Sequence, residues 1–119
     1  MSPLAFRFFL AGGLFGLLGM VWGIQMSASG DHSLSPAHGH LNLVGFVMSA
    51  VFGAAYGLAG ATGKLASAQF WLHVLAVIVL IPGIALAITE QGEALAKIGS
   101  LLAVASLVLF LVALWRERA

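Results

Sequence analysis

Four apolar stretches, each long enough to cross a lipid bilayer, take up nearly the whole of this 119-residue chain. A hydrocarbon core about 30 Å thick needs about 20 consecutive apolar residues per helix. The stretches at residues 4–26, 36–61, 67–89 and 94–115 meet that length. With no water available in the bilayer, every backbone N–H and C=O must be paired inside the segment, and a helix does this. The expected fold is therefore all-α: an integral membrane four-helix bundle, one domain over residues 1–119, its neighbours antiparallel because the connections are short.

Composition closes off the alternatives. At 61% hydrophobic and 8% charged, the chain has too few polar residues to cover a water-soluble surface. A net charge of +1 offers no surface for a polyanion, so nucleic acid is not an expected partner. The absence of cysteine removes disulfides, thiolate metal sites and covalent haem attachment. The first apolar run, Phe8 to Ile24, exceeds the roughly 7–15 residues of a signal-peptide core, so it reads as a retained helix.

The basic residues set an orientation. Arg7, Lys64, Arg116 and Arg118 fall at the N-terminus, the second connection and the C-terminus, which share one side. Asp31, Glu90 and Glu93 fall on the other, with Lys97 the one basic residue near them. The positive-inside rule then places both termini in the cytoplasm of a cell inner or plasma membrane. Glycines recur at packing spacing: Gly12, Gly16, Gly19 and Gly23 in the first span, Gly53 and Gly57 in the second. Small residues four apart let helix backbones approach closely, and the first run predicts such a seam. Pro82-Gly83 predicts a kink in the third span.

Chemistry concentrates at the mouth of the second span. Ser35 is positioned to cap it and Pro36 suits its first turn. His38 and His40 follow at once, near the outer face. Two residues apart on a helix is about 200°, so the rings leave nearly opposite sides and do not readily chelate one ion together. His38 lines up with Asn42, Gly45, Ser49, Gly53 and Tyr56, a small and polar stripe. His40 lines up with Val44, Val47, Val51 and Ala54, an apolar stripe. An apolar wall beneath an imidazole suits a flat macrocycle such as haem, which also needs water excluded.

The run HGHLNLVGFVMSAVFGAAY (residues 38–56) resembles the tenth helix of the main subunit of the haem-copper oxidases. In that family a His-x-His pair leaves opposite sides of one helix near the outer surface. The resemblance implies that His38 ligates an active-site haem and His40 a low-spin haem. It covers one helix. The family's main subunit has twelve helices in three arcs of four, so the resemblance also implies that this chain is one arc, able to rebuild twelve helices as a homotrimer. The family's copper-binding helix has no counterpart here, and Tyr56 is about 24 Å along the helix from His40, too far to act beside a metal there.

The expected function is thus a membrane haem b protein, iron held axially by His40 and by His38 of a neighbouring copy, with Val44, Val47 and Asn42 around the group, transferring electrons to or from a separate partner. Whether it is an oxidoreductase in its own right stays open. His73 of the third span faces the same way as Gln69, Val77 and Leu80, about one turn inside the inner end; it is read either as a helix-packing histidine or as a second cofactor ligand. His32, beside Asp31 in the first outer loop, could complete a zinc or copper site with His38. Two other classes remain open: a copper or zinc transporter or sensor using His32, His38 and His40, and a structural or assembly protein; among assemblies the trimer is favoured, with a dimer as the alternative.

Overall fold

The computed structural model describes residues 1–118 and is all-helical, with four helices long and apolar enough to span a membrane. These are α1 (Pro3–Ser29), α2 (Ser35–Ala59), α3 (Lys64–Ile88) and α4 (Ala94–Glu117). Local chemistry decides where each begins and ends. Ser2 caps α1, its Oγ accepting the Ala5 N–H at 3.2 Å, and Pro3 opens the helix where a missing N–H costs nothing. Gly30, in the left-handed region at φ 73°, closes α1 three residues beyond the expected end. Gly60, at φ 68°, closes α2, and the Ala61 N–H returns to the Tyr56 carbonyl.

Ser35 does not cap α2. Leu34 holds the capping position and makes no side-chain bond there, while Ser35 is already the first helical residue. The reason lies in the loop: Asp31 Oδ1 accepts the Ser33 N–H at 3.0 Å, and the Ser35 N–H bonds to His32 carbonyl. That turn delivers the chain to Ser35 already in helical geometry. At the other end of the bundle, Glu117 Oε1 accepts the Gly63 N–H at 2.7 Å, and α3 starts one residue later at Lys64.

The helices pack as two close pairs. The glycine seam of α1 takes α2: a side chain added at Gly12 would meet Ser49, at Gly16 the Phe46 ring, at Gly19 the Asn42 amide and at Gly23 the His38 ring. The expected seam is thus present. α3 and α4 meet through a seam of a different kind, with Gly83 against the Leu95–Ala96 backbone and Gly99 against the Leu80 backbone. A Cβ at Gly99 would lie 2.6 Å from Leu80 Cα, so only glycine allows this approach. α3 continues as helix through Pro82.

Between the pairs lie two clusters of unlike character. Toward the basic end, Phe8 sits among Phe52, Tyr56 and Phe70, with Phe70 edge-on at 4.9 Å between ring centroids. Toward the other end the cluster is Ala37, Leu41, Val77 and Ile81. The Cα atoms span 49 × 28 × 14 Å, a flattened slab with a broad outer surface.

Candidate functional site

The first turns of α2 fix both histidines of the His-x-His pair, but under opposite conditions. His40 is exposed, and its Nδ1 lies 2.7 Å from the Pro36 carbonyl, one turn back on its own helix. A carbonyl oxygen only accepts, so Nδ1 carries the hydrogen, and in the neutral form of such a ring the lone pair sits on Nε2. This is the arrangement metal-binding histidines use, the second nitrogen tethered so that the first is aimed and made more basic. Below His40, Val44 is half-buried and Val47, Val51 and Ala54 are exposed, so the apolar stripe expected under this ring faces outward.

His38 faces inward. Its Nε2 donates to the Gly19 carbonyl of α1 at 2.9 Å, the Trp22 ring stands edge-on at 5.9 Å, and the Asn42 side-chain amide lies 3.2 Å from the same nitrogen. Ligation through that nitrogen would require the ring to leave Gly19. In the rest of its stripe, Gly45, Ser49, Gly53 and Tyr56 are all buried. Asn42 is half-buried and lies against Gly19 rather than beneath His40.

Immediately after His40, residues Leu41–Val47 form a π-helical segment, in which the Met48 N–H reaches back to Leu43. Such segments are rare and concentrate at functional positions. Here one lies directly under the exposed imidazole, and its Gly45 lets α2 settle on Phe15 of α1.

His73 lies nine residues into α3, deeper than expected because the helix starts at Lys64. It is 1% exposed, and its Nε2 is 2.7 Å from Ser49 Oγ, whose hydroxyl also reaches the Gly45 carbonyl. With the Gly45 carbonyl taking the Ser49 hydrogen, His73 Nε2 donates to Ser49 Oγ. The Phe52 ring stands edge-on at 5.1 Å. Gln69, Val77 and Leu80 share its buried face, as projected.

A second buried polar set escaped the sequence reading. The Tyr56 hydroxyl of α2 donates to Gln69 Oε1 of α3 at 3.1 Å, and Gln69 Nε2 donates to Ser106 Oγ of α4 at 3.0 Å. All three are buried, and no buried side-chain polar atom among the described residues lacks a partner. The one available signal was the polar character of Gln69 and Ser106 inside otherwise apolar spans.

His32 is exposed in the loop after α1. Neighbouring Asp31 is held below the usual carboxylate range, first by the Ser33 backbone N–H, so it is ionised at neutral pH. Among the described residues no group of three or more His, Asp or Glu side chains comes together. No family model, curated protein or solved structure matches the sequence.

Proposed function

We propose that this multi-pass membrane protein binds haem b through His40 Nε2 and serves as an electron-transfer unit, as the likeness of its His-x-His helix to that of the haem-copper oxidases suggests. The observation that carries the reading is the His40 ring itself. One nitrogen is fixed to Pro36 at 2.7 Å, and the other is free on an exposed face above Val44, Val47 and Val51. An imidazole presented in this way fits an axial iron ligand, and the valines fit the apolar wall of a macrocycle. Haem b would supply one-electron chemistry.

Each part of the chain then has a task. Pro36 aims the imidazole; Val44, Val47 and Val51 would line one face of the group. A histidine of another copy of the chain would supply a further ligand to the group, since among the described residues of one chain no cluster of three or more His, Asp or Glu side chains forms. A homotrimer rebuilding twelve helices is the assembly we favour, and the flattened shape of the slab suits lateral association. In this reading Arg7, Lys64, Arg116 and Arg118 face the cytoplasm, and His38 and His40 lie near the outer face of the plasma membrane.

Optical spectra of the purified protein, oxidised and reduced, test this directly. A Soret band in the wild type that is absent from His40→Ala supports it, and a colourless wild-type preparation supplied with haem refutes it. Native mass spectrometry of the coloured species reports the number of copies, and a haem-loaded monomer would exclude the shared site.

A further inference from the structure

The basic end of the bundle carries a feature unrelated to the histidines. Two cavities open there and meet at one residue. The first, about 480 Å³, lies between the start of α1 and the connection into α3, and is lined by Arg7, Lys64 and the hydroxyl residues Ser2, Thr62 and Ser67. The second, about 500 Å³, is a groove between α1 and α3 lined by Leu10, Leu14, Phe70 and Trp71, with Arg7 at its head. Leu10, Leu14 and Trp71 are 51%, 54% and 61% exposed, so the groove runs along the lipid-facing surface.

Among the described residues, neither Arg7 nor Lys64 forms an ion pair. Among the described residues the one ion pair is Lys97 with Glu93, at the opposite end. Glu117, the acid at this end, has its Oε1 on the Gly63 N–H. A guanidinium and an ammonium at the edge of a bilayer, bordering a hydroxyl-lined chamber, select for an anion. The apolar groove, which shares Arg7 with that chamber, selects for a hydrocarbon chain. A free phosphate would use the chamber and leave the groove empty. A lipid with a neutral headgroup would use the groove and gain little from the charges.

We propose that these two cavities, which share Arg7, bind a single anionic phospholipid, its phosphate on Arg7 and Lys64 and an acyl chain along Leu10, Leu14, Phe70 and Trp71. The site is independent of the histidines. Arg7 is the pivot, since its guanidinium can hold a phosphate bidentately while its stem follows the groove.

Native mass spectrometry of the full chain in mild detergent, titrated with phosphatidylglycerol, phosphatidylcholine of the same chain length, or inorganic phosphate, tests the proposal. Wild type should bind phosphatidylglycerol more tightly than phosphatidylcholine. The pair Arg7→Gln and Lys64→Gln should weaken phosphatidylglycerol roughly 30-fold, the loss of two cationic contacts at a membrane surface. Arg7→Lys with Lys64→Arg should restore most of it. Arg116→Gln with Arg118→Gln, at the same end but outside both cavities, should leave binding near wild type. Ala11→Phe, which fills the groove, should weaken the lipid and leave phosphate unaffected. The proposal fails if wild type holds the two lipids equally, if the Arg7→Gln/Lys64→Gln and Arg116→Gln/Arg118→Gln pairs lose binding equally, or if inorganic phosphate displaces the lipid at matched concentration.

Discussion

His40 and His73 are the same side chain, each on a helix of this bundle, in opposite circumstances. His73 is enclosed by Phe8 and Phe52 and bonded across helices to Ser49. His40 is exposed and bonded only to its own helix through Pro36. What separates them is which helix faces have a neighbour. The glycine seam of α1 covers the His38–Asn42–Ser49 side of α2, and α3 covers the Ser49–Tyr56 side. The described chain covers much less of the Val47–Val51 side. In a dry interior every polar group must be paired, and Ser49, Tyr56, His73, Gln69 and Ser106 all are. At the exposed end a nitrogen can be left free, and a free nitrogen can take a ligand. The buried half is organised for holding helices together, while the open end leaves an imidazole nitrogen without a hydrogen-bond partner among the described residues.

That contrast makes graded predictions. The largest loss of stability is expected from Gly99→Leu, because its Cβ would fall 2.6 Å from Leu80 Cα and force α3 and α4 apart. A destabilisation of about 3 kcal/mol, the upper end for overpacking, should appear in thermal unfolding followed by circular dichroism. Gln69→Leu strands the Tyr56 and Ser106 hydroxyls together. It should cost about 2 kcal/mol by the same measurement, within the range for orphaning buried groups. A loss as small as a surface substitution would mean that water reaches this part of the bundle. Ser49→Ala removes one interhelical hydrogen bond and should cost about 0.6 kcal/mol, the average for such bonds in membranes. His40→Ala, on an exposed face, should shift stability by less than about 0.5 kcal/mol. None of the first three should touch a group bound at His40 unless the fold itself is lost.

Much of this was readable in advance, and the misses have physical causes. The four spans were legible because bilayer thickness imposes a length that composition displays directly. The α1 seam was legible because its glycines repeat within one helix. Gly83 and Gly99 pair across two helices, and spacing along one helix says nothing about register between helices. The Tyr56–Gln69–Ser106 chain was missed for the same reason, since its members lie on three helices. The π-helical turn at Leu41–Val47 has no periodic signature. The two faces of α2 separate on projection, and the structure buries Gly45, Ser49, Gly53 and Tyr56 on one and exposes Val47 and Val51 on the other. Ser35 was misassigned as a cap because the Asp31 turn, a loop feature, decides where α2 begins. For the histidines, sequence projection separated the two faces, and the structure added which ring is tied inward and which nitrogen is free.

The central claim is that His40 is a ligand rather than a packing residue. The most direct measurement is the absorption spectrum of purified wild-type and His40→Ala protein supplied with haem, with His73→Leu as the buried control. The account predicts a Soret band in wild type and in His73→Leu, and none in a folded His40→Ala. A band of equal intensity in His40→Ala, or no band in any of the three, would contradict it.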